Sequence, residues 1–347
     1  MRAAVLRDGA MQVDDIADPA PGPGQVLVRT LACGICGSDL HAVAHGEQMV
    51  EQMHEAAGLG NDLGMTPHVM DLDRDVVLGH EFSAEVVELG PEVANCSLGD
   101  TVVSLPVVFD ASGLHPLGYA NAYPGGYAER MVLNDLVCLK VPNGLDAQTA
   151  ALTEPMAVGV HAVNRARLEP GDAAVVLGCG PVGLAVVAAL QLSGVETIVA
   201  ADFSPARRAL AATMGATEVV DPSAEPALDA WRRVDGQSPL AIFEAVGVAG
   251  MLDSAMQGAP RGARIVVVGV CMTPDTIKPM GGVVRQLDIR FAFAYDAAEF
   301  SDTLRHIAEG DLDVSPMITG HVSIDGIPGA FRELADPGAH AKILVTP

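Results

Sequence analysis

The chain has 347 residues, half of them hydrophobic, which is more than one average domain needs and enough for two. Forty-four acidic residues face 20 basic ones, a net charge of -24 that repels phosphate backbones and anionic lipid and argues against nucleic-acid partners. Six scattered cysteines form no disulfide framework, and the start, MRAAVLRDGAM, lacks the apolar core of a signal peptide; a reduced cytoplasmic protein is expected.

In chain order, residues 1–150 read as a β-rich, barrel-like unit. Strands are expected at Gln25–Arg29, Glu85–Leu89 and Thr101–Leu105, punctuated by PGPG, GPEV and LGD. Thr149–Arg165 reads as one helix with an Ala/Met/Val face. Strands and helices then alternate: strand Ala173–Leu177, helix Val182–Ser193, strand Thr197–Ala201, helix Pro205–Met214, strands Leu240–Phe243 and Arg264–Val268. This alternation predicts a doubly wound parallel sheet over 151–286, hence an α/β chain. The last part, 287–347, is expected to return to the first domain, with a strand over Asp288–Ala294, a helix over Ala297–Glu309 and a final strand over Lys342–Val345. The uncharged stretch Ala173–Gly194 is long enough to span a bilayer. Its glycines and Pro181 would break a spanning helix, so no membrane segment is expected.

That stretch carries Gly178-x-Gly180-x-x-Gly183 between a strand and a helix. The first glycine allows a tight turn, the second lets a pyrophosphate approach the backbone, and the third lets helix and strand pack closely. Pro181 and Val182 open the helix whose N–H groups face the phosphates. Asp202 follows the next strand, about twenty residues on, where a carboxylate accepts the ribose hydroxyls. It would repel a 2′-phosphate, so NAD is favoured over NADP, a preference that Arg207 and Arg208 weaken.

The first unit contains CGICGSDLH (33–41), then GHE (79–81), then TEPMAVGVHA (153–162). Together with the glycine turn, these resemble the zinc-dependent medium-chain dehydrogenases, on their sorbitol and threonine dehydrogenase side, over nearly the whole chain. The resemblance implies a GroES-like catalytic domain and a Rossmann cofactor domain. It implies that Cys36, His80 and Glu154 hold a catalytic zinc, with Glu81 as exchangeable ligand or carboxylate behind the metal. Glu154 binds directly or through water in such relatives. Ser38 and His41 match a proton relay that takes the alcohol proton, passes it through the cofactor ribose and releases it to solvent. Val246, Val268-Gly269-Val270 and Ala292-Phe293-Ala294 fall on cofactor-binding segments. The implied activity is reversible hydride transfer from a secondary alcohol or polyol to NAD, in a homodimer or homotetramer.

The chain departs from many relatives in two places. No cysteine lies between Gly99-Asp100 and Gly125-Gly126-Tyr127-Ala128-Glu129, where they carry a four-cysteine zinc lobe. One zinc per chain, with no structural zinc, is therefore expected. The segment 42–78 is longer than usual, and a lid and an insertion without a role are both open. Within it, Asp71, Asp73 and Asp75 alternate like a calcium loop, but Val76 replaces the needed glycine and Phe82 the bidentate acid. His45, His54, His68, His115 and His321 show no ligand spacing. Two rival readings are a zinc-free reductase of the same superfamily and a non-catalytic cofactor-binding protein; neither needs the CGICGSD, GHE and TEP set together.

Overall fold

The structure, a computed structural model, describes residues 1–58, 67–334, 336, 338 and 340–347. The chain forms two compact units: Met1–Glu154 with Ile318–Pro347, and Pro155–Met317.

The first unit is built on mainly antiparallel sheets; among its described strands only Ile318–Val322 and Lys342–Val345 pair in parallel. A seven-stranded sheet runs Cys138–Lys140, Thr101–Ser104, Glu81–Leu89, Gln25–Gly34, Lys342–Val345 and Ile318–Val322, and Arg130–Asn134 also pairs with Gln25–Gly34. Arg2–Arg7 pairs with Ala10–Asp15 and Val76–Val77 in a second sheet. Inward residues such as Val5, Val28, Phe82, Met131 and Val345 share one buried core, which aliphatic side chains dominate because aromatics are few. The register of the large sheet sets Gly34 opposite Glu81 on one side and Leu344 on the other, so the ends of three strands distant in sequence meet.

Two helices in this unit, Gly37–Ala44 and Gly46–Gly58, depart from the strand-like reading of 1–150. The second occupies the start of the long segment 42–78. It presents Met49, Val50 and Met53 to the core at helical spacing, which the polar and glycine residues around them obscure. The Met- and Gly-rich stretch 59–66, on which the lid expectation partly rests, lies outside the described residues. Asp75 of the acidic loop is held by Arg7 at 2.6 Å.

The second unit is a six-stranded parallel sheet in the order Glu218–Val220, Ile198–Ala201, Ala173–Leu177, Leu240–Glu244, Arg264–Val267, Asp288–Phe291. Counted within the unit this is 3-2-1-4-5-6, the dinucleotide-binding arrangement. The central strands are apolar almost throughout and fully buried, as expected for a sheet covered on both faces. The 173–194 stretch resolves into a strand, a turn and the helix Pro181–Leu192. No helix among the described residues is long and apolar enough to cross a membrane.

Two boundaries differ from the sequence reading. The helix expected over Thr149–Arg165 is two helices, Ala147–Ala151 and Thr153–Ala166, separated at Leu152. The return expected at 287 falls instead at Ile318, because Asp288–Phe291 continues the parallel sheet beside Arg264–Val267. A four-residue strand at a sheet edge, half exposed, carries little hydrophobic pattern to identify its sheet.

Candidate active site

At the end of strand Gln25–Gly34 the chain turns through Ile35 and Cys36 into the helix Gly37–Ala44. Cys36 is its N-cap in extended conformation, and its backbone N–H donates to Asp39 Oδ2 at 3.0 Å. Asp39 is fully buried and also accepts from the Tyr127 hydroxyl at 2.6 Å and the Tyr119 hydroxyl at 3.2 Å. Burial alone would raise the Asp39 carboxyl, but the His80 beside it outweighs burial and lowers it.

His80 and Glu81 arrive on the neighbouring strand. The ligand atoms of Cys36, His80 and Glu81 all lie within 4.8 Å of one another, in a mostly buried group. Among the described residues His80 Nδ1 is buried without a hydrogen-bond partner, although Asp39 Oδ1 lies 3.4 Å away. Burial disfavours a charge on His80, yet Asp39 and Cys36 outweigh it and hold the imidazole well above its usual value. A sulfur, a nitrogen and carboxylate oxygens in one negative, low-dielectric spot suit a zinc ion, and a carboxylate behind the histidine is the usual support for such a ligand.

Glu81 carries a partner that the sequence does not signal. Lys342 Nζ, fully buried, donates to both Glu81 oxygens at 2.7 Å and to the Ile35 carbonyl at 3.1 Å. Burial pushes the Lys342 ammonium down, and Glu81 more than reverses it, so the net shift is upward. Gly34 opposite Glu81 must be glycine, since a Cβ there would lie 2.1 Å from Glu81 Oε2. Glu154 stands in the first turn of Thr153–Ala166, outside the gathered trio, but close enough for its charge to raise Lys342.

Ser38 lies in the first turn of its helix, and its Oγ accepts from the Tyr119 hydroxyl at 2.8 Å. His41 is on the same helix, half-buried, with its ring 6.2 Å from that of His45. Burial, and then His45, lower the His41 imidazole, which favours its neutral form. Asp39, Tyr119, Tyr127 and Lys342 are thus site residues that sequence reasoning missed. Asp39, inside CGICGSDLH, and Tyr127, inside Gly125-Gly126-Tyr127-Ala128-Glu129, stood in segments that could have found them.

The second unit brings its expected residues to one end of the sheet. Gly178, Asp202, Val246, Val268–Val270 and Ala292–Ala294 all follow the carboxyl ends of parallel strands, where α/β sheets bind ligands. Gly178 has φ +90, and a Cβ on Gly183 would lie 1.9 Å from the Gly178 carbonyl oxygen. A Cβ on Gly180 would meet nothing nearer than Arg207 Nη1 at 4.0 Å, so this glycine faces open space at the helix start. Arg207 Nε beside it is buried without a partner among the described residues, a positive group that suits an anion. Asp202 accepts from Cys179 N at Oδ2 and Ser204 N at Oδ1, both 2.8 Å, which aims its carboxylate at the glycine turn. Arg208 turns away, bonding the Asp202 and Phe203 carbonyls and pairing with Asp221. The buried Glu244 shapes the adjoining loop by accepting from Val246 N and Gly247 N.

Comparison with known proteins agrees with both units. Residues 22–143 match the alcohol dehydrogenase GroES-like domain, and residues 181–309 match the zinc-binding dehydrogenase family. The fold and these matches define a two-domain, zinc-binding oxidoreductase. The (R,R)-butanediol dehydrogenase of Bacillus subtilis is 32% identical over 350 residues, covering 97% of this chain and 96% of that protein. The crystal structure of 2R,3R-butanediol dehydrogenase from that organism superposes with TM-score 0.85 at 30% identity, covering 100% of this chain and 99% of that one. Sorbitol dehydrogenase of Bacillus subtilis is 27% identical over 100% of this chain and 97% of its own length. A zinc-binding dehydrogenase of Sinorhizobium meliloti 1021 bound to NADP has TM-score 0.84 at 27% identity, over 100% and 99% of the two chains. The chain belongs to the zinc-dependent medium-chain dehydrogenases, on their sorbitol-dehydrogenase-like side, and is an alcohol-oxidising enzyme of that family.

Proposed function

We propose that this enzyme oxidises a vicinal diol or polyol at a secondary carbon, reversibly, with NAD as hydride acceptor and one catalytic zinc per chain. The observation that carries the reading is the gathering of Cys36, His80 and Glu81 at one buried strand end, with the His80 ring set against Asp39. Cys36 and His80 would hold the metal directly, and Glu154 would complete the set. Lys342 occupies both oxygens of Glu81, so this carboxylate would support the metal site from behind rather than bind the ion. The missing four-cysteine lobe supports a count of one. When bound, zinc acts as a Lewis acid on the substrate oxygen, and the nicotinamide accepts the hydride.

The chain's own residues do the rest. Ser38 Oγ takes the alcohol proton, and His41, kept neutral by burial, hands it on toward solvent. Gly178, Gly180, Pro181, Val182 and Gly183 cradle the pyrophosphate, Arg207 faces its charge, and Asp202 accepts the ribose hydroxyls. The loops at Val246, Val268–Val270 and Ala292–Ala294 line the nicotinamide half. A homo-oligomer is supported by the sheet edge Asp288–Phe291 with its exposed Phe291, and by Met280, Val283 and Val284, exposed on the preceding helix Pro279–Arg285.

The test is turnover of butane-2,3-diol, sorbitol and ethanol with NAD and with NADP. Diol or polyol with NAD is expected to be the best pair. Asp202→Ala should weaken NAD binding by roughly tenfold, the worth of about one charged hydrogen bond, and narrow the gap to NADP. A wild-type enzyme that already prefers NADP would show that Arg207 decides the cofactor. Ethanol as the best substrate would sink the polyol assignment.

A further inference from the structure

A relay hydroxyl has to accept a proton on one side and release its own on the other. It must then be reset before the next turnover. A serine has one proton and two lone pairs, so a neighbour that only donates or only accepts would trap it in one orientation. A phenolic hydroxyl does both, and Ser38 has one beside it.

Tyr119 Oη lies 2.8 Å from Ser38 Oγ and 3.2 Å from Asp39 Oδ1. Two proton arrangements fit these heavy atoms. In one, the Tyr119 O–H donates to Ser38 Oγ, and the serine proton points to its next acceptor. In the other, the Tyr119 O–H turns to Asp39, Ser38 donates to Tyr119 Oη, and both serine lone pairs are free to receive. Exchanging them needs only rotation of two hydroxyls.

Asp39 is fixed independently of this exchange, because Tyr127 O–H and Cys36 N–H hold its other oxygen at 2.6 Å and 3.0 Å. The Tyr119 ring packs against the core of the first unit and stands 5.4 Å from the His80 ring, so the hydroxyl is held in place from both ends.

We propose that Tyr119 is a positioning residue for proton transfer at Ser38, alternating between Ser38 and Asp39 as its hydrogen-bond acceptor so that the serine can receive and release in turn. No proton is lost from Tyr119. In the first arrangement the alcohol proton ends on Ser38 as the serine's own proton passes on toward His41 and solvent; the second arrangement lets the serine hydroxyl turn back for the next turnover. The proposal rests on the reading of Ser38 as the relay entry and extends it to a residue with no direct part in the metal or cofactor sites.

The test is a double-mutant cycle of Tyr119→Phe and Ser38→Ala, with kcat, KM and zinc content measured for each variant. Phenylalanine keeps the ring against the core and His80 and deletes only the hydroxyl. In the Ser38 enzyme, kcat is expected to fall by about tenfold, the effect of one hydrogen bond, with KM and zinc unchanged. In the Ser38→Ala enzyme the same change is expected to cost nothing further. A tenfold loss in both backgrounds would mean that Tyr119 serves the fold or the metal site, and would overturn the proposal. So would no loss in the Ser38 enzyme. If Ser38→Ala alone were without effect, the relay reading itself would fail, a result distinguishable from either of these.

Discussion

Alanine at Ser38 is expected to leave zinc and cofactor bound and to lower alcohol turnover by about a thousandfold, within the range of a general acid–base contribution. Ser38 lies in the first turn of the helix that Cys36 caps, so its hydroxyl is fixed two residues from the thiol proposed to bind the metal. Its Oγ is not a ligand-type atom of the gathered trio, so its loss leaves Cys36, His80 and Glu81 in place. Hydride cannot leave the alcohol carbon efficiently unless the hydroxyl proton leaves too, and in the proposed relay Ser38 provides the short path. His41→Ala should cost less, roughly tens to a few hundredfold, because water or buffer substitutes at the solvent end. Its cost should be smallest at high pH, where hydroxide takes the proton. Turnover against pH, with zinc measured in each variant, checks this. Near-normal oxidation by zinc-loaded Ser38→Ala would show that another group deprotonates the substrate.

The second large effect is on stability. Lys342→Met is expected to destabilise the first unit by about 3–5 kcal/mol, because it leaves the Glu81 carboxylate buried without its counter-charge. The side chains of Lys342 and Glu81 are 0% and 1% exposed, so water cannot replace the ammonium. Adding Glu81→Gln to Lys342→Met removes the orphaned charge and should recover most of the loss. Urea unfolding of the single and double variants reads both values. Equal stability of wild type and Lys342→Met would mean that Glu81 finds another partner or is protonated in the folded state.

How much of the molecule is legible in the sequence depends on how local each signal is. The strands Ala173–Leu177 and Leu240–Phe243 can be read because a sheet covered on both faces needs short, wholly apolar runs, and the glycines after the first of them mark where the next helix starts. Cys36 and His80 can be named only through the resemblance. Nothing local says that residues 44 apart meet; that depends on Gly34 pairing with Glu81 across two strands. Lys342 is invisible for the same reason. It is an ordinary lysine at the start of the last strand until that strand pairs beside Gly34 and turns the ammonium onto Glu81. Tyr119 belongs to no motif. The helix Gly46–Gly58 is hidden because its core-facing methionines and valine are interleaved with polar residues and bounded by glycine. The sequence pattern puts the edge strand Asp288–Phe291 in the wrong unit because a short, half-exposed strand carries no mark of the sheet it joins.

The central claim is that the Cys36 and His80 site holds a zinc on which alcohol oxidation depends. Its most direct test is metal content and diol turnover on one preparation, before chelation, after it and after zinc is restored. The expected result is about one zinc per chain, with oxidation lost on chelation and regained on zinc addition, and with neither zinc nor activity in Cys36→Ala. Undiminished diol oxidation by the zinc-free protein would contradict the account.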